Sequence, residues 1–145
     1  MAQPDICHRI CLPISGSRRI PMIATRDIAH AAADRLLDSS WTGRCVRELH
    51  GPADLSFEEA AAAISRGLGR PIVHVKVDDA TIRKAMIAAN VSKDVTDLML
   101  ELYHSCETGA LRPAMERSPE TYTPTRLVDF AREVIRPLIE EPAMH

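Results

Sequence analysis

Aromatic side chains are scarce in this chain of 145 residues: one Trp, two Tyr and two Phe make up 3% of it. A core is thereby denied its largest packing groups, and Ala, Leu, Ile and Val must fill it from a hydrophobic content of 46%. Long apolar runs are lacking as well. None approaches the roughly 20 residues that cross a bilayer, and the opening MAQPDICHRICLPISG sets Asp5 and His8 where a signal peptide needs an unbroken apolar stretch. A cytoplasmic location without membrane contact is expected. Cysteine is confined to Cys7, Cys11, Cys45 and Cys106, too scattered in a chain without a secretion signal to make a disulfide framework, so free thiols are expected. No charge sign dominates. Eighteen Lys and Arg against twenty Asp and Glu leave −2, which argues against a phosphate-tracking surface and against nucleic acid as a partner.

The common signatures of chemistry are missing too. Cys7, His8 and Cys11 in CHRIC lie close together, but no second ligand pair lies near them in sequence, so no metal is expected. GLGR at 67–70 holds glycines that follow a helical pattern, whereas a dinucleotide fingerprint follows a strand and opens a helix. A Tyr-x-x-x-Lys pair is absent, because position 107 after Tyr103 is Glu and position 126 after Tyr122 is Arg. Ser15, Ser56 and Ser65 sit in no nucleophile elbow. Glu58 and Glu59, neighbours on a helix, diverge by about 100° and cannot act on one bond. No catalytic residue and no cofactor-binding residue is assigned.

What is present is a pattern of short strands and amphipathic helices. Residues 1–19 form an irregular amino-terminal segment with a short strand near Ile10–Ile14. IPMIA (20–24) is an apolar run of strand length, followed by a helix to Leu37 capped by Thr25 or Asp27, with Ile28, Ala32 and Leu36 on one face. RCVREL (44–49) is a second strand, closed by HGP. Ser56 and Glu59 have capping-box spacing for a helix carrying Phe57, Ala61, Ile64 and Leu68 on one face and ending at Gly67 or Gly69. PIVHVKV alternates as a strand, with Val73, Val75 and Val77 on one side. Helices over 79–89 and 93–107 follow, the second with Val95, Leu98, Met99, Leu102 and Cys106 as its stripe, then a loop over 110–122. A last helix takes Thr123 as cap and Pro124 in its first turn, turns Leu127, Phe130, Ala131, Val134 and Leu138 inward, and is kinked or ended by Pro137. Strands alternating with helices imply an α/β fold with a parallel or mixed sheet. So few strands leave an open edge, able to pair with another chain.

The segments IPMIATRDIAHAAADRLL, WTGRCVRELHGPADLSFEEAAAAISRGLGRPI and TPTRLVDFAREVI, in that order, resemble the carboxyl-terminal half of the NmrA-like NAD(P)-binding proteins. These are atypical members of the extended short-chain dehydrogenase/reductase superfamily. The resemblance covers about residues 12–140, and its most specific part is the Gly-Pro strand end, Ser-capped helix and Gly-Arg-Pro closure. It implies that residues 20–145 are the last strands of an incomplete Rossmann-like sheet with a helical substrate-side subdomain. The glycine-rich half that binds NAD(P)H is not among these residues, so the chain alone is expected to hold no cofactor and to be inactive. Its expected partner is that missing Rossmann half, or another copy of itself through the open sheet edge. Loops at the carboxyl ends of strands carry ligand contacts in such sheets, which makes Met22, Ala24, Thr25, His50 and Gly51 the pocket candidates. The resemblance implies a quinone- or azo-dye-reductase-like oxidoreductase; the alternative is a non-catalytic redox-sensing regulator or protein-binding module.

Overall fold

The helix that follows the capping box, α2 (Phe57–Leu68), packs against the strand before it, the strand after it and the last helix. In a computed structural model that describes residues 8–140, the Ser56 hydroxyl accepts the Glu59 N–H at 3.1 Å and the Glu59 carboxylate accepts the Ser56 N–H at 2.8 Å. The expected capping box is therefore complete, and Gly69 ends the helix at φ 71°. GLGR closes a helix, as its spacing indicates.

Four short strands make two separate pairs. β1 (Arg9–Leu12) runs parallel to β4 (Val73–Lys76), and β2 (Arg19–Pro21) runs antiparallel to β3 (Asp54–Ser56). β1 falls where a strand was expected, while the IPMIA strand shrinks to its beginning. Pro21 removes a ladder donor at that point, and the Ile20–Leu55 and Pro21–Asp54 registers end there. Residues 44–49 form no strand, because among the described residues no neighbouring strand supplies a ladder; only His50 makes a parallel bridge, to Tyr122. In β4, Val73 is exposed while His74, on the opposite side, stacks on Phe57 with ring centroids 5.5 Å apart.

α1 (Thr25–Leu37) has the expected span but neither expected cap nor a covered face. Its N-cap position is Ala24 without a side-chain hydrogen bond. Leu36 and Leu37 are 84% and 85% exposed, with Ile28 also in solvent. α3 (Asp79–Ala88) and α4 (Lys93–Thr108) are capped by Asp78 and Ser92. On α4 the expected stripe is rotated. Thr96, Leu100 and Cys106 are buried, whereas Val95, Leu98 and Leu102 face solvent.

The last helix begins at α5 (Leu127–Phe130), later than the Thr123 cap predicts, because Thr123 is held elsewhere: its hydroxyl donates to the His50 carbonyl at 3.0 Å. A π-helical turn, Ala131–Ile135, precedes α6 (Arg136–Glu140). The helix thus widens before Pro137 and continues through it. Ala131 is fully buried, while Leu138, expected inward, is exposed.

Gly67 explains why α2 and the last helix approach closely. A Cβ there would lie 2.6 Å from the Ala131 Cβ and 2.7 Å from the Val128 carbonyl oxygen. Gly67→Ala should therefore lower stability by about 1–3 kcal/mol, since neither backbone atoms nor a buried methyl can yield freely. The urea midpoint measures this, and an unchanged midpoint would show that the two helices separate at little cost.

Candidate functional site

The candidate site is built where the chain between 47 and 54 is bonded to the 111–125 loop. The His50 N–H donates to the Thr121 carbonyl at 2.7 Å, and the His50 carbonyl accepts the Thr123 N–H at 2.8 Å. Gly51 presses against the Met22 carbonyl, which any Cβ at this position would strike. Arg117 donates to the Gly51 carbonyl at 2.9 Å and to the Asp54 carboxylate at 2.5 Å, and Arg47 reaches the Glu120 carbonyl. Segments far apart in sequence are thereby fixed to one another through main-chain groups.

On one side of this junction lies a cleft of about 310 Å³, at the lower end of the roughly 300–1,000 Å³ that suits small organic ligands. Ile20, Pro21, Leu49, Leu111 and Pro113 give it apolar walls, with Cys106 buried at its floor and His50, Glu48 and Arg112 as polar members. Glu48 accepts the N–H groups of Ala114 and Met115 at 2.9 and 2.8 Å, and these hold its carboxyl below the usual carboxylate value. His50 Nε2 lies 3.4 Å from the same carboxylate, and the histidine is 4% exposed. Burial pushes the Cys106 thiol up, against the opposing charge of Arg18.

Of the pocket residues expected from sequence, His50 lines this cleft. Met22, Ala24 and Thr25 instead border a smaller cavity of about 90 Å³, closed by Thr125, Leu127 and Phe130. Gly51 lines neither and packs between the two regions. Glu48 and Arg112 were not singled out in the sequence. Glu48 directly precedes the LHGP strand end, which was the available signal; Arg112 sits in an unpatterned loop and gave none.

Asp27 is not the helix cap that the sequence suggested. It is 7% exposed and accepts the Thr125 hydroxyl at 2.7 Å and the Thr125 N–H at 3.1 Å, tying α1 to the segment before the last helix. Burial opposes its ionisation, but the bonds from Thr125, with the charge of Arg26, prevail and lower its pKa below the ordinary 3.8.

On the other side of the junction a broader groove lies between α1 and residues 45–49, lined by Ile28, Ala31, Ala32, Arg35, Cys45 and Leu49 among others. Leu49 belongs to both the groove and the cleft. Among the described residues no group of three or more His, Cys, Asp or Glu is placed to hold a metal ion, and no helix is long and apolar enough to cross a membrane. Cys7 of the CHRIC cluster lies outside the described residues.

No protein-family model matches the chain. It is 29% identical to the NAD(P)H azoreductase of Xenophilus azovorans over 119 residues, and 25% identical to prestalk A differentiation protein A of Dictyostelium discoideum over 120 residues. Each match takes 81% of this chain but only 41% and 40% of the relative, so the chain spans about two fifths of the length of these relatives. Among solved structures, the triphenylmethane reductase of Citrobacter sp. in complex with NADP(H) superposes with a TM-score of 0.64 at 18% identity, over 87% of this chain and 44% of that one. The fold is that of a partial NmrA-like protein. The chain is α/β with a small parallel strand pair, matching a fragment of a Rossmann-like reductase, and the proteins it is similar to include an NAD(P)H azoreductase.

Two outcomes test the site's framework. Asp27→Ala should cost about 2 kcal/mol by stranding the Thr125 donors. Because the folded pKa is depressed, the Asp27 contribution is complete above pH 3.8 and is lost as pH falls through the lowered folded value. Acid unfolding curves of the wild type and Asp27→Asn should converge there, and parallel curves would deny the linkage. In Glu48→Ala, amide exchange at Ala114 and Met115 should accelerate about fivefold or more. Unchanged protection would mean that the carboxylate does not hold that loop.

Proposed function

We propose that this chain is the substrate-side portion of an NAD(P)H-dependent oxidoreductase, quinone- or azo-dye-reductase-like, with the cleft receiving the substrate. In this reading a Rossmann half carrying the nucleotide docks on the groove between α1 and residues 45–49. The observation that carries it is Leu49, which lines both: a half that covers the groove would contact a residue of the cleft itself. The uncovered apolar face of α1 and the unpaired extended segment 44–49 present what a sheet and its helix layer would complete. Besides the free edge of β2, which pairs with β3 alone among the described residues, the groove beside residues 44–49 is the surface this reading gives to the missing half.

The chain's own glycines do not fit a pyrophosphate. Gly69 and Gly109 end helices, Gly67 packs on Ala131 and Gly51 on Met22, while Gly16 lies in the turn between β1 and β2 and Gly43 in a bend after α1, so none opens a helix after a strand. The nucleotide would belong to the docked half, and the chain alone would be inactive. A second reading, a non-catalytic redox-sensing or protein-binding module, is favoured by the use of the cleft's own groups: Glu48 is engaged by backbone N–H groups and Cys106 is a buried thiol.

Sedimentation velocity of the chain alone over about a hundredfold concentration range should show self-association through the α1 face. Mixed with the part of the Xenophilus azovorans azoreductase that it does not span, it should form a one-to-one complex that binds NADPH, and Leu36→Glu should abolish the complex. A monomer at every concentration that takes up no such half would sink the docking reading. A complex that binds NADPH yet reduces neither quinone nor azo dye would favour the regulator.

A further inference from the structure

We propose that the cleft beside His50 selects flat apolar molecules bearing an anionic group, and that Arg112 is the residue that recognises the anion. This deepens the reading of the cleft as the substrate side and rests on it. The walls, Ile20, Pro21, Leu49 and Leu111, offer apolar contact to a ring system and nothing to hydrogen-bond along its faces. The floor is the buried Cys106, whose thiol is kept in its neutral form by burial. The polar members are the buried His50, Glu48 and the exposed Arg112.

There the charges are unequally engaged. Both carboxylate oxygens of Glu48 already accept backbone N–H groups from the 114–115 loop. Nearby arginines are also engaged: Arg117 by Asp54 and Gly51, Arg47 by Glu120, Arg35 by Asp38. Arg112 is different. It is exposed, lines the cleft, and among the described residues makes no hydrogen bond or ion pair. Pro113 restricts the backbone of Arg112 to extended conformations, which limits the directions in which its side chain leaves the loop. A guanidinium with all its donors available beside an apolar wall is suited to a planar carboxylate or sulfonate, which it can grip with paired N–H bonds while the rest of the ligand lies on Leu111 and Leu49.

Naphthalene-2-carboxylate and naphthalene-2-carboxamide have nearly the same shape and differ in charge, so they test the inference on the full chain. Dissociation constants would be read from the amide resonances of Leu49, His50 and Leu111, with Ala32 in the α1 groove as the control position. The carboxylate should bind about fivefold or more tightly than the amide, with the advantage shrinking as salt rises. Arg112→Ala should erase the advantage, and Arg112→Lys, which keeps the charge but not the paired N–H bonds, should keep only part of it; because Arg112 makes no internal contacts of this kind, both variants should fold. Equal binding of the two probes in the cleft would overturn anion recognition and leave the cleft reading standing. Perturbation confined to the α1 groove, or none at all, would overturn the cleft reading and this inference together.

Discussion

The contact on which the site depends is the main-chain clasp at His50 and Gly51. His50 exchanges backbone hydrogen bonds with Thr121 and Thr123, and Gly51 lies against the Met22 carbonyl so closely that no side chain fits. Buried backbone donors and acceptors need partners, and here they find them across more than 70 residues of sequence. This clasp draws together the β2–α1 turn, the 47–54 segment and the 111–125 loop. The cleft forms on one side of it and the α1 groove on the other. Without it, Glu48 would have no loop to hold and Arg112 no fixed position.

The two faces of the molecule differ in completeness. Around α2, capping, glycine contact and apolar burial agree: the Ser56 box, Gly67 against Ala131, and Phe57 with Ile14 and Cys106 all favour one arrangement. Around α1 they conflict. An amphipathic helix of good length turns Ile28, Leu36 and Leu37 into solvent and is held chiefly through Asp27 to Thr125 and Arg26 to Glu133. An exposed apolar stripe beside an unpaired extended segment is the pattern of an interface.

Local signals were legible wherever a residue's partner lay within a turn or two. The Ser56–Glu59 box, the Gly69 stop and the positions of α3 and α4 were all readable from spacing, because caps and periodicity act over a few residues. Readings failed where a distant segment competed for the same group. Asp27 and Thr123 have the chemistry of helix caps, yet the first is taken by Thr125 and the second by the His50 carbonyl. The α4 stripe failed for a related reason: Val95, Leu98 and Leu102 are more apolar than Thr96, but the turn at Ser92 and the approach of the core decide which side faces inward.

The sequence by itself determined an α/β chain of short strands and capped helices, the helix-closing role of its glycines and the likeness to part of an NmrA-like protein. It also marked the HGP turn as a place of interest, since a strand ending in Gly-Pro must turn sharply. Only the tertiary structure decided which expected pocket residues share a cavity. His50 went to the cleft, while Met22, Ala24 and Thr25 went to a smaller space behind it. It likewise left residues 44–49 outside any ladder and brought Arg112 to the cleft. Such placements depend on which backbone groups find one another across the whole chain, and no periodicity records that pairing.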